Sequence, residues 1–319
     1  MDPVIVTRSL KDIPVRDLRV LLQEEVEYWG EELLWDYAEV SQAVAGGLER
    51  RTLIGRVMID DGRPVAYCYY MLDGGRAIVG ALFASRDFRG RGLEEQLLGD
   101  VLADAQAEPG NERVECQTLF STAPDAERRF LKAGFKSRRR HYLVRPLERP
   151  VEVPSARLTL RPVRREDLWA VSEVIYRSHH GSLDAALNLT YATPAYCRGF
   201  VETLVLRSGC GRFDPLASFI IDGPRGPSAV LLASHLSKTN GHICQVSVAP
   251  DAQGRGLGTA LMTSALRAFR DQGLHSASLS VTVENHRAYD LYLRLGFAVR
   301  KEFAAHAWVR PPALLELPA

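Results

Sequence analysis

The chain has 319 residues and a formal net charge of +1, with 25% charged and 46% hydrophobic residues. That length suits two domains, and the composition is that of an ordinary soluble globular protein. The balanced charge supplies no bulk field for nucleic acid or an anionic membrane, and five scattered cysteines without a C-x-x-C pair argue against a disulfide framework or a zinc site, so no metal is expected.

In chain order, M-D-P-V-I-V-T-R opens the sequence with no basic region followed by an apolar one, so the expected compartment is the cytoplasm. Val4–Val6 reads as a first strand, and 13–29 as a helix with Val15, Leu18, Leu22 and Val26 on one face. Asp60-Asp61-Gly62-Arg63-Pro64 predicts a hairpin turn, and Asp73-Gly74-Gly75 a second turn into a strand over 77–84. Then comes Arg89-Gly90-Arg91-Gly92-Leu93-Glu94, and later Phe130-Leu131-Lys132-Ala133-Gly134-Phe135. The basic run at 136–141 reads as a solvated strand face that discourages edge pairing. Three prolines within 146–154 favour extended backbone and mark the boundary, which divides the chain into 1–148 and 154–319.

Beyond the boundary, a strand is expected over 157–163 and a helix over 167–176. A long stretch, 177–212, has no counterpart motif in the first half. A hairpin over 213–221 and 228–236 follows. The strand 242–248 then runs into V-S-V-A-P-D-A-Q-G-R-G-L-G, and Pro250 ends the ladder. Glycines at a strand-to-helix turn expose backbone N–H groups, and the helix start adds positive partial charge, so this turn suits a pyrophosphate. It lacks the Gly-Lys-Ser/Thr ending of a Walker loop and the spacing of a dinucleotide fingerprint. After the helix 256–271 and a strand over 276–283 comes Asn285-x-x-Ala288-x-x-Leu291-Tyr292-x-x-x-Gly296-Phe297.

The two halves repeat. Gln253-Gly254-Arg255-Gly256-Leu257-Gly258 parallels 89–94 at an offset of 164, and 292–297 parallels 130–135 at an offset of 162. This is a tandem duplication of a whole domain. In the first copy Glu94 replaces Gly258, Phe130 replaces Tyr292 and Ala123 replaces Asn285. Two carboxylates, Glu94 and Glu95, would repel a pyrophosphate, so the first copy is expected to keep the fold and to have lost the ligand.

The pair Gln253-x-x-Gly256-x-Gly258 and Asn285…Tyr292…Gly296-Phe297 resembles the GNAT superfamily of acyl-CoA-dependent N-acyltransferases. The resemblance implies two tandem α/β (α+β) domains, each a mixed, mainly antiparallel twisted sheet flanked by helices, with the second one catalytic. It implies acetyl-CoA as cosubstrate, held by Val246, Ser247, Val248, Gln253, Gly254, Arg255, Gly256, Leu257, Gly258, Thr259 and Asn285. Tyr292 would be the general acid and Asn285 would hold the helix end and the cofactor. Direct attack by an amine on the thioester needs no cysteine nucleophile. The base is left open among His242, Glu284, His235 and water, because Ser280 stands where many relatives carry a Glu. The stretch 177–212 is expected to recognise the acceptor. A small-molecule primary amine is the leading acceptor, with no nucleic-acid or membrane partner, in a monomer or homodimer. Tandem chains with a degenerate first half also resemble mycothiol synthase, which acetylates a cysteinyl amine. A peptide N-terminus is another acceptor, and a non-catalytic acetyl-CoA sensor is the alternative outside enzymes. A retained Tyr292 argues against the sensor, because binding alone has no use for a proton donor.

Overall fold

A computed structural model describes residues 5–123, 126–150, 158–207 and 209–312. Val4 of the expected first strand and much of the boundary segment (151–157) lie outside them. In chain order the elements are β1 (Val6–Ser9), α1 (Val15–Leu33), α2 (Ala38–Glu49), β2 (Leu53–Asp60), β3 (Arg63–Asp73), β4 (Arg76–Ala84), α3 (Leu93–Ala107), β5 (Arg113–Gln117) and α4 (Ala126–Lys132). Then follow β6 (Lys136–Pro146), β7 (Arg161–Pro162), α5 (Leu168–His179), α6 (Leu183–Leu187), α7 (Pro194–Leu206), β8 (Arg212–Phe213) and β9 (Phe219–Gly223). Last come β10 (Gly226–His235), β11 (Asn240–Val248), α8 (Leu257–Asp271), β12 (Ser276–Thr282), α9 (His286–Arg294) and β13 (Ala298–Val309).

The chain forms two compact units. One takes 1–28, 37–138 and 304–319; the other takes 29–36 and 139–303. In the first unit the strand order is β1-β2-β3-β4-β5, completed by the 305–309 part of β13 antiparallel to β5. The second runs β7-β9-β10-β11-β12, completed by the 140–146 part of β6 antiparallel to β12. Each sheet is antiparallel except for one parallel pair, β4/β5 or β11/β12. The mixed, mainly antiparallel α/β architecture expected from the repeat is therefore present. The division at 148/154 marks where the repeat restarts in the chain. The compact units differ from it because each half's last strand joins the other unit's sheet.

Local chemistry explains the elements. The β2–β3 turn places Asp61 and Gly62 at positive φ (45° and 77°), as a tight two-residue hairpin requires. The expected strand over 213–221 is interrupted. Pro215 has no N–H to give a ladder, and Asp214 Oδ1 instead accepts from the N–H groups of Leu216 and Ala217. The helix α1 runs four residues beyond Trp29, and α2, α6 and α7 have no counterpart in the pattern reading. The first unit's core gathers Tyr70, Leu97, Val101 and Phe130 between α3 and its sheet. In the second unit, Leu261, Leu266 and Phe269 of α8 are fully buried against β10 and β11. At Gly241 on β11 an added Cβ would sit 2.7 Å from the Phe269 ring, so this close approach requires glycine.

Candidate active site

The functional features of the second unit converge on one cavity of about 580 Å³. Three devices build it. The first is a gap in the sheet. β11 and β12 pair in parallel from Asn240/Ser276 to Ile243/Leu279 and no further. Ala249 N–H donates to Ser228 O on the β10 side, so by strand alternation the N–H and C=O of Val246, and the N–H of Val248, face away from β10 into the gap. Val246, Ser247 and Val248 all line the cavity.

The second device is the start of α8. Gly254 (φ 81°) and Gly256 (φ 74°) adopt the left-handed conformation, which turns the chain sharply out of the strand. Gly256 is the N-cap, and the first helical N–H groups have no intrahelical acceptor. Gly258 differs: its φ is not positive, and a Cβ there would meet Leu291 and Val248 only at 3.8 and 3.9 Å. The protein's own backbone and packing therefore do not require glycine at 258. It keeps the cavity wall low at the helix start.

The third device is α9. Asn285 is its N-cap, accepting from Ala288 N–H at 3.3 Å. Gly296 (φ 84°) ends the helix, with Phe297 N–H bonding back to Tyr292 O. Tyr292 lies between, 8% exposed, and lines the cavity. Burial, reinforced by the Asp184 charge, pushes its hydroxyl up to about 12. It therefore stays protonated at neutral pH, as a proton donor must.

Of the acetyl-CoA-binding and acid residues named from sequence, every one except Arg255 lines this cavity. Arg255 folds back to donate to Asp251 O at 3.1 Å. Gln253 is tied at both ends: its amide donates to Val248 O, and its carbonyl accepts from Arg287 Nη1. It thus latches the loop to the strand.

The base candidates separate. His242 does not line the cavity; it is 6% exposed, and burial pushes its imidazole down to about 4. His235 is held by Asp214 Oδ2 at 2.9 Å, also away from the cavity. Both expectations are corrected. His242 lies on the same strand as Val246 and Val248, but a register shift at Cys244 breaks the alternation between them, so the even spacing does not bring His242 to the cavity. Glu284 does line the cavity. So do two residues that sequence reading left unassigned, His179 at the end of α5 and Asp184 on α6. Asp184 Oδ1 accepts from Thr282 Oγ1 at 2.5 Å. His179 stacks on Tyr191 at 4.0 Å, and its Nε2 accepts from the Gln245 amide at 2.8 Å. Burial lowers its pKa, which keeps it neutral. Both lie in the stretch 177–212, whose lack of a repeat counterpart was the one signal that could have found them.

The first unit repeats the frame without the cavity's chemistry. Gly90 (φ 70°) and Gly92 (φ 81°) reproduce the turn. Glu94 is 0% exposed, its Oε2 has no hydrogen-bond partner, and burial raises its carboxyl pKa. The gap is closed as well. Thr122 N–H donates to Leu82 O at 3.0 Å, and Ala84 N–H donates to Thr122 Oγ1 at 3.1 Å. At the repeat offset these are the counterparts of Val246 O and Val248 N–H, so the groups free in the second unit are occupied here. Phe130 packs against the His306 ring at 3.8 Å.

The fold and cavity define an acyl-CoA-dependent transferase of the tandem type. The family model described as "Acetyltransferase (GNAT) family" matches residues 15–135 and again 209–297. This chain belongs to that family and is an acetyl-transferring enzyme, acetyl-CoA being the family's cosubstrate. Among curated relatives it is 29% identical over 266 residues to the mycothiol acetyltransferase of Nocardiopsis dassonvillei, covering 76% of this chain and 77% of that one. It is 28% identical over 275 residues to that of Acidimicrobium ferrooxidans, covering 81% and 82%. A third, from an Arthrobacter species, is 30% identical over 182 residues, 52% of this chain and about half (51%) of that relative. Two solved structures share the fold: a GCN5-related N-acetyltransferase from Sphaerobacter thermophilus (TM-score 0.63, 20% identity, 96% of each chain) and a tandem GNAT protein from the clavulanic acid biosynthesis pathway (TM-score 0.63, 16% identity, 98% of this chain and all of that one). Among the described residues, no helix is long and apolar enough to cross a membrane.

Proposed function

We propose that the second unit transfers the acetyl group of acetyl-CoA to the primary amine of a small molecule, and that the first unit binds no acyl-CoA. The observation that carries this is the convergence of the open β11 edge, the α8 start and Tyr292 on one cavity. The pyrophosphate lies against the amides at 254–259, and the pantetheine arm pairs with Val246 and Val248. An N–H of that edge polarises the thioester carbonyl. The amine nitrogen attacks the carbonyl carbon, the C–S bond breaks, and Tyr292 protonates the departing thiolate. Once the neutral amine has added, the surplus proton on its nitrogen leaves toward Asp184, whose carboxylate lines the cavity and acts on Tyr292 through its charge. His179 and Ser182 complete the acceptor wall.

The names of the relatives that align over 77% and 82% of their lengths favour one acceptor class, a cysteinyl amine of the kind mycothiol synthesis consumes. The test is steady CoA release from acetyl-CoA across an amine panel that includes cysteinyl amines, amino sugars and peptide N-termini. Turnover confined to peptides would overturn the small-molecule reading. CoA release with no amine at all would overturn the transfer reading.

A further inference from the structure

Three side chains that the transfer chemistry does not use meet elsewhere in the second unit. Cys210 sits in the loop before β8, and His242 and Cys244 lie two apart on β11, at the strand's register shift. One sulfur or nitrogen from each lies within 4.8 Å of the other two. We propose that Cys210, His242 and Cys244 form a binding site for a thiophilic divalent cation of the zinc type.

The surroundings are arranged as a ligand set requires. Ser278 Oγ lies 2.9 Å from His242 Nδ1 and 3.2 Å from Gly241 O. It is a partner that holds one ring nitrogen, as the outer groups around metal-bound histidines do, and leaves Nε2 as the ligand atom of the proposed site. Ser234 stands opposite His242 in the β10–β11 register. Its hydroxyl donates to Cys210 O at 2.5 Å, pinning the loop, and its oxygen accepts from the Cys244 thiol at 3.2 Å. Cys244 Sγ also lies 3.9 Å from Cys210 O. For tetrahedral coordination with metal–sulfur bonds of about 2.3 Å, neighbouring ligand atoms stand ~3.8 Å apart. The observed limit of 4.8 Å therefore calls for a contraction of about 1 Å at most. Ser234 Oγ, 3.2 Å from Cys244 Sγ, offers an oxygen for the fourth position. As residues, Cys210 and Cys244 are half-buried, whereas Cys68, Cys116 and Cys197 are buried. Binding one M²⁺ releases two protons as the thiols become thiolates, and the resulting site is neutral.

Sequence reading missed this set because its members are 32 and 2 residues apart and make no C-x-x-C pair. The test uses the full chain, reduced and stripped with a chelator, then titrated with Cd²⁺ as probe and Zn²⁺ as competitor. The expected result is a thiolate-to-metal charge-transfer band saturating at one Cd²⁺ per chain and displaced by Zn²⁺. Cys244→Ser and Cys210→Ser should each lose at least half of its intensity and weaken binding about tenfold or more. Cys68→Ser should change nothing, and circular dichroism reports whether each variant is folded. A band unaffected in a folded Cys244→Ser variant would overturn the site. So would absence of any band, or closure of Cys210 and Cys244 into a disulfide while Cd²⁺ is present.

Discussion

Gly258→Glu places in the second unit the residue that the first unit already carries at Glu94. Nothing in the protein resists it: the new Cβ meets Leu291 and Val248 at 3.8 and 3.9 Å, ordinary contact distances. Gly258 is the second residue of the helix, and an acid in this first turn gains about 0.3–1 kcal/mol against the macrodipole. The variant should melt at the wild-type temperature or a few degrees above. Its ligand binding should collapse. One carboxylate about 4 Å from one phosphate charge costs about 4 kcal/mol at an effective dielectric of about 20. That corresponds to about a thousandfold in affinity. Calorimetric titration with acetyl-CoA, beside a thermal melt, separates the two effects. Gly258→Ala adds volume without charge and should lose about tenfold at most. A Gly258→Glu protein that binds acetyl-CoA within tenfold of wild type would refute the placement of the pyrophosphate at this helix start.

Other consequences can be measured directly. Tyr292→Phe should leave acetyl-CoA affinity nearly unchanged and lower turnover by about 10²–10⁴, and with the hydroxyl at about 12 the wild-type profile should show no alkaline loss from this group below about pH 10. Asp184→Asn keeps an oxygen for Thr282 and removes the charge; KM for the amine should rise about ten- to a hundredfold, the worth of a hydrogen bond to a charged group, and an unchanged KM would release Asp184 from the acceptor site. Wild type should bind one acetyl-CoA per chain, and Glu94→Gly should still bind one, because Thr122 continues to occupy Leu82 O and Ala84 N–H. His306 is 1% exposed, and burial pushes its imidazole down to about 3. Only the unfolded chain takes up that proton between pH 6.5 and 3, so stability should hold above 6.5 and fall below it by up to about 1.4 kcal/mol per pH unit. His306→Gln should flatten that slope.

The sequence made the glycine turn, Tyr292 and the duplication visible because each is a short-range pattern with fixed spacing. Glu94, Phe130 and Ala123 likewise mark where the first copy departs from the motif of the second. Less visible were features set by which strand lies beside which. No local pattern says that β13 completes the first sheet and β6 the second. The face on which His242 lands depends on the phase of β11, so a histidine three residues from the motif strand looked available and is buried. His179 and Asp184 reach the cavity from helices that share no motif with anything else in the chain. The interruption at Asp214-Pro215 was readable in principle, since a proline inside a strand pattern removes a donor.

The internal duplication also sorts structural glycines from functional ones. Gly254, Gly256 and Gly296 have positive φ, and so do their first-copy counterparts Gly90, Gly92 and Gly134. Those positions stay glycine in both copies, because the turn and the helix cap need the left-handed backbone whether or not anything binds. Gly258 has an ordinary helical φ and no internal neighbour closer than 3.8 Å. Its counterpart is free to become Glu94, and does. The same contrast holds for side chains. Phe130 and Tyr292 are both buried and both pack on the phenylalanine five residues later, at 5.1 and 6.1 Å. The ring is therefore what the fold requires at that position, and the hydroxyl is what the proposed reaction uses. What differs between the copies, namely a hydrogen at 258, a hydroxyl at 292, an amide at 285 and an unoccupied strand edge at 246 and 248, is a list of parts for binding and transferring an acyl group, and all of it lies on the second copy's cavity.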